Sequence, residues 1–365
     1  MSLKWKRVWI ADEGYETVGV FDVDGDGRPD IVSGAFWYQG LDFRRKHFIG
    51  EVTKLGEYYD DFSTIALDVN GDGKPDFVTG GWWGNTLRWR ENPGDPAKEW
   101  LTHVIAETGS IETTRAWDID GCGVPEIVPN TPESREVAVF KLDTDSFGRG
   151  AGRFEKLVIY RFPEEERQGH GLGCGDLAGN GRMDVVTNRG WLEAPKNPWK
   201  GEWQWHSGPL IGRASSVPIL VEDVNSDGNK ELIVGNAHGY GLDWWSRDAS
   251  GQWARHPIDP FNAQYHDLQW ADIDGDGMPE LITGKRHRAH AGNEAGEWDD
   301  LGIYYFKWNG ESFTKNVVSY GPIGIGKSCG LHFALADLRA TGRLDIVAPG
   351  KDGLVVFYNE GEEPR

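Results

Sequence analysis

Cysteine is scarce in these 365 residues, with only Cys122, Cys174 and Cys329 present. An odd number without a metal or redox spacing excludes a disulfide framework and leaves free thiols. Basic residues are also short, 38 against 58 acidic ones, for a net charge of −20. So acidic a chain repels phosphate backbones, which excludes nucleic acid as a partner. Bound divalent cations would offset part of that charge. No stretch supplies the ~20 apolar residues that cross a bilayer, so membrane insertion is not expected. The opening "MSLKWKRVWI" lacks the apolar core and small-residue cleavage site of a secretory signal, although its first three residues could replace one. The compartment and the oligomeric state are left open.

Glycine and tryptophan are abundant instead, 50 and 18 residues respectively. That pairing suits many short strands joined by tight turns and packed through large rings. One segment, "DVDGDGRPDIVSG" from Asp22, recurs in degenerate form with first aspartates at 68, 118, 176, 223, 272 and 337, at intervals of 46 to 65 residues. This is the period of a four-stranded propeller blade. Each unit reads as an apolar strand, the acidic loop, a second apolar strand, an aromatic third strand such as "LDWWSR", and a fourth strand that often carries His. Blade 7 stops after "GLVVFYNEG", whereas "LKWKRVWIA" precedes blade 1 and matches a fourth strand. An all-β, seven-bladed propeller in one domain over residues 1–365 is expected, its ring closed by the N-terminal strand.

With its D-x-D-G-D-G-x-x-D loops in a β context, the sequence resembles the VCBS/FG-GAP repeat family, which includes the integrin α-chain propeller. In blade 1 the loop offers Asp22, Asp24, Asp26, the carbonyl of Arg28, and Asp30 as oxygen ligands for Ca²⁺. Asp68, Asn70, Asp72, the carbonyl of Lys74 and Asp76 repeat the set, as do Asp223, Asn225, Asp227 and Glu231. Asp272, Asp274, Asp276, the carbonyl of Met278 and Glu280 form a fourth. The last acid comes nine positions into the loop, ahead of a strand, unlike the Glu at position twelve of an EF-hand. Cys122 replaces an acid in blade 3, Ala178 removes an oxygen in blade 4, and Arg339 and Thr341 enter the loop of blade 7. Calcium is therefore expected in about four loops. Where it is absent, side-chain to backbone hydrogen bonds can hold the same turn. Filled calcium loops would suit an extracytoplasmic setting.

If the acidic loops mark one face of the disc, His47, His103, His206 and His256 fall on outer strands with a packing role. The remaining six histidines fall on the opposite face. His170, His266 and His332 start inner strands near the channel, and His238, His287 and His290 sit in loops of the same face. Lys285, Arg286, Arg189, Arg115, Lys351, Glu16, Asp61 and Glu112 map there too, with Trp82, Trp83 and Tyr240 as flat faces for sugar rings. Imidazoles from several blades around one funnel could ligate zinc, manganese or nickel, or serve as acid and base. The combination is similar to propeller enzymes acting on carbohydrates, distantly to the aldos-2-ulose dehydratases, metal-dependent sugar dehydratases and isomerases. That likeness implies a reaction class, a lyase, dehydratase or isomerase, and assigns no residues. By position, His170, His266 or His332 would be the base, and a histidine-bound metal, or Lys285 and Arg286, would stabilise the enolate. Trp82, Trp83, Arg189, His238, Tyr240, His287 and His290 would bind a carbohydrate or other small polar ligand. A non-catalytic, adhesion-type module binding glycan or protein is the competing class.

Overall fold

The computed structural model describes residues 3–209, 211–212, 214–290 and 292–362. Met1 and Ser2 of the opening segment lie outside the described residues. Seven four-stranded antiparallel sheets are arranged as the blades of a propeller, with no helix among the described residues. The second strands explain the packing. Asp30–Ser33, Asp76–Thr79, Asp184–Thr187 and Asp345–Ala348 are buried at every position, because each blade face is covered by its neighbour. Their Ile and Val side chains suit a pleated surface packed on both sides. Outer strands such as Phe313–Gly321 are instead mostly exposed or half-buried.

Ring closure follows the expected route. Leu3–Ala11 pairs antiparallel with Leu354–Glu362, Val8 opposite Val356, and becomes the outer strand of the last blade. The sheet is completed by segments from both ends of the described chain, so separating two blades would break a sheet as well as an apolar interface.

The outer histidines have a common packing role. Cross-strand partners Trp37 and His47, Trp89 and His103, Trp191 and His206, and Trp244 and His256 stack with ring centroids 4.1, 4.4, 4.2 and 4.1 Å apart. Two residues beyond the Trp, Glu91, Glu193 or Ser246 holds the imidazole of His103, His206 or His256.

Two features depart from the simple blade. A short hairpin of Lys54–Leu55 with Tyr58–Tyr59 interrupts the crossing from blade 1 to blade 2. The connection 286–300, between Glu280–Lys285 and Leu301–Trp308, carries no strand among its described residues. Both lie on the face opposite the acidic loops, where they form part of the channel mouth.

Candidate functional site

The acidic loops join first to second strands on one face, and in all seven Oδ2 of the first aspartate accepts from the amide five residues on. The first aspartate folds back on the loop: Asp22 Oδ1 accepts from the amides of Gly25 and Asp26, and Oδ2 from Gly27. Asp337 does the same for Thr341 and Gly342, although its blade lacks the acid series. Gly25 and Gly27 take φ of +74° and +82°, as the curl requires. Where the first glycine is replaced, Ser226 and Ala340 are held at +60° and +52°. The turn is thus imposed even on residues that resist it.

The last acid is a buried clip. Asp30 accepts from Val23 at 2.8 Å and from Gly40 at 2.6 Å, tying the loop to the third strand. Asp76 bridges Val69 and Asn92, and Asp184 bridges Ala178 and Ala194, in the same way. Burial pushes Asp30 up to about 6 and both Asp76 and Glu231 up to about 7. Such carboxylates favour a nearby cation.

In two blades that cation is built in. The register pairing Leu281 with Phe306 sets Lys307 opposite Glu280, and that pairing Ile127 with Phe140 sets Lys141 opposite Glu126. Lys307 contacts Asp274 and lies 2.6 Å from Asp276 and 3.4 Å from Glu280. Lys141 contacts Asp120 and lies 3.4 Å from Glu126 and 3.7 Å from the Cys122 sulfur. The corresponding residues in blades 1, 2 and 5 are Gln39, Glu91 and Ser246. The Asp22, Asp24 and Asp30 oxygens converge within 4.8 Å in blade 1, as do those of Asp272, Asp274 and Asp276 in blade 6. The all-oxygen set of blade 1 fits Ca²⁺, whereas in blade 6 Lys307 already sits among the carboxylates.

On the opposite face the inner strands deliver imidazoles to one point. His170 precedes Leu172–Gly175, His266 lies in Tyr265–Ala271, and His238 follows Glu231–Gly235. One ligand atom each from Glu112, His170, His238 and His266 falls within 4.8 Å of the others. His170 is held by its Nδ1, 2.5 Å from the Ser215 carbonyl oxygen. A carbonyl only accepts, so Nδ1 carries a proton, and Nε2 is the atom turned toward Glu112. That Nε2 is buried, has no hydrogen-bond partner, and lies 3.3 Å from Glu112 Oε1. Two electron-rich atoms this close repel unless a proton or a metal ion lies between them. His266 Nε2 meets the same Glu112 oxygen at 3.0 Å, while its Nδ1 is buried without a partner. Burial holds His266 well below the usual imidazole range and so favours its neutral form. Burial would raise Glu112, but the two imidazoles hold it well below the carboxylate range. Arg286, 3.4 Å from Glu112 and 2.9 Å from Glu16, adds a permanent positive charge.

The structure sorts the other expected residues. His290 stacks on His238 at 4.4 Å, half-exposed at the mouth. His332 does not join the cluster. It is half-buried beside Arg115, which bonds Asp267 at 2.7 Å, and its Nδ1 is buried without a partner. His287 is buried on the other side, near Asp352, Lys351 and Lys285. Lys285 donates to Gly296 and, at 3.3 Å, to Gln264, and burial lowers its ammonium to about 8. Its amine is thus committed to the backbone of the 286–300 loop. Trp83 is exposed at the rim, 5.5 Å from the Tyr58 ring, with Trp82 half-buried beside it. Tyr58 also lies 3.8 Å beneath the Lys351 amine. Tyr240 donates to Asp299 at 2.6 Å, and Arg189 pairs with Glu166 at 3.4 Å on the outer rim. The sequence reading missed Glu294, which binds both His238 and His290, and the Ser215 carbonyl. Glu294 follows His290 by four residues, a spacing that could have flagged it; the carbonyl leaves no trace in sequence.

Residues 223–283, from the acidic loop of blade 5 through the second strand of blade 6, match the family model of the FG-GAP-like repeat. No curated protein matches the chain in sequence. Among solved structures it is similar to BBS1N, crystallised in complex with ARL6DN and soaked with mercury, at 11% identity over 99% of this chain and 98% of that chain, TM-score 0.58. It is also similar to Sqt1 of Saccharomyces cerevisiae, at 12% identity over 98% and 99% of the two chains, TM-score 0.51. At such identities the likeness is one of fold alone. This chain is a seven-bladed β-propeller that carries an FG-GAP-like repeat.

Proposed function

We propose that the protein is a metal-dependent, carbohydrate-active lyase, dehydratase or isomerase whose active centre is the histidine funnel. The observation that carries this reading is the convergence of Glu112, His170, His238 and His266 within 4.8 Å, with Nε2 of His170 3.3 Å from a carboxylate oxygen. These four would hold a divalent transition metal, zinc or a similar borderline ion. When bound, the metal would polarise a carbonyl or carboxylate of the substrate. Arg286 keeps Glu112 ionised and in place through its contacts with Glu112 and Glu16. With His170 and His266 engaged as ligands, the base is His290, whose Nδ1 is held by Glu294 and whose side chain is exposed at the mouth. Trp83, exposed at the rim, offers an aromatic face for a sugar ring. Calcium in the loops of blades 1, 2 and 5 would stiffen the scaffold on the other face.

The test is a screen of oxidised sugars and uronides for ultraviolet-absorbing enone products, run on metal-loaded wild type and His266→Ala. Turnover that disappears with His266→Ala and with mild chelation is expected. Turnover indifferent to both would remove the funnel from the chemistry. Saturable glycan binding without turnover would instead establish the binding-module class.

A further inference from the structure

Glu294 serves two imidazoles at once. His238 Nδ1 lies 2.8 Å from its Oε1, and His290 Nδ1 lies 2.5 Å from the same oxygen. By distance alone these three residues could hold a second metal ion. Direction argues against it. An imidazole lone pair lies in the ring plane, and these rings are stacked, with centroids 4.4 Å apart and planes 23° from parallel. One ion cannot lie in both planes, whereas the two carboxylate oxygens can serve the rings separately: His238 Nδ1 donates to Oε2 at 2.9 Å and His290 Nδ1 lies against Oε1.

For His238 the consequence reaches the funnel. With Nδ1 bound to Glu294, Nε2 is the atom left to join Glu112, His170 and His266. The same device acts on His170 through Ser215, but that carbonyl belongs to the rigid scaffold. Glu294 belongs to the strandless 286–300 connection. The connection is fastened by Lys285 to Gly296, by Tyr240 to Asp299 at 2.6 Å, and by Glu297 to the His290 amide at 2.6 Å. Gln264 supports Glu294 from the blade at 3.3 Å.

We infer that Glu294 is a positioning residue for the metal centre, which fixes the ligand His238 in its binding tautomer and couples metal occupancy to closure of the 286–300 loop. This rests on the metal reading given above. A carboxylate that orients a ligating His changes metal affinity by about 10- to 100-fold. The coupling is reciprocal, so metal must favour the closed loop by the factor that the closed loop favours metal.

The experiment titrates Zn²⁺ against a chromophoric chelator in millimolar calcium, on full-length wild type, Glu294→Gln, His290→Ala and His266→Ala. Amide exchange across the loop is followed with and without Zn²⁺. Wild type is expected to take up zinc that His266→Ala does not. Glu294→Gln should bind about 10- to 100-fold more weakly with an unchanged melting midpoint, and His290→Ala within about threefold of wild type. Zinc should slow loop exchange in wild type and not in Glu294→Gln. Equal zinc affinity in Glu294→Gln and wild type would overturn the inference while leaving the metal centre standing. A loss in His290→Ala as large as in Glu294→Gln would make His290 a ligand and overturn it too. Absence of zinc binding by wild type would remove the metal centre itself, and the inference with it.

Discussion

Replacing Lys307 with Met keeps the length of the side chain and removes the charge that sits among three loop carboxylates. The ammonium contacts Asp274 and lies 2.6 Å from Asp276 and 3.4 Å from Glu280. Glu280 is fully buried, and its Oε1 has no hydrogen-bond partner. A hydrogen bond to a charged group contributes roughly 1.5–3 kcal/mol. The Lys307 side chain is 36% exposed, so screening reduces this, and a loss of about 1–2 kcal/mol is expected without calcium. Calcium should then take the vacated place, because the Asp272, Asp274 and Asp276 oxygens already converge. For a dissociation constant on the order of 0.1 mM, about 5 mM calcium adds roughly RT ln 51, or ~2.3 kcal/mol. Urea titrations of wild type and Lys307→Met, each in EGTA and in calcium, measure the four stabilities. The calcium increment should be larger in the variant by about that amount. Equal increments in the two proteins would refute the idea that Lys307 occupies the cation's position.

Three further outcomes follow from the same geometry. Ala340→Gly should raise stability by about 0.5–1 kcal/mol, because Ala340 is held at φ +52°, and an unchanged urea midpoint would show that the turn is unstrained. Asp30, Asp76 and Glu231 are raised to about 6, 7 and 7, above their unfolded values near 4, so the folded state binds more protons in that window. Their contribution to stability is therefore present at low pH and lost as pH rises through 6–7 in calcium-free buffer. Calcium binding should release protons near pH 6.5 and few at pH 8, which calorimetry in buffers of different ionisation enthalpy detects; identical apparent enthalpies at pH 6.5 would contradict it.

Residue order was enough to define the blades, because a blade is a local unit. Strand, acidic loop, buried strand and aromatic strand follow one another in sequence, and the glycines and aspartates of the turn hydrogen-bond within a few residues. Asp22 and Asp30, His47 stacked on Trp37, and the fourth strand at the N-terminus were all legible for that reason. The mapping of six histidines to one face was legible as well, since the loop marks a side of the disc. Which of them meet was not. His170, His238 and His266 come from three blades, and the packing of the blades decided that they converge on Glu112 while His332 lies elsewhere beside Arg115. Lys141 and Lys307 were hidden similarly, because each faces its acidic loop through the strand register, 15 and 27 residues along the chain from Glu126 and Glu280. Sequence by itself determined the repeating unit and its polarity, which depend on short-range hydrogen bonds and hydrophobic periodicity. Only the closed ring decided the charge balance of each loop and the composition of the funnel, because both arise where strands distant in the chain are brought within a few ångströms.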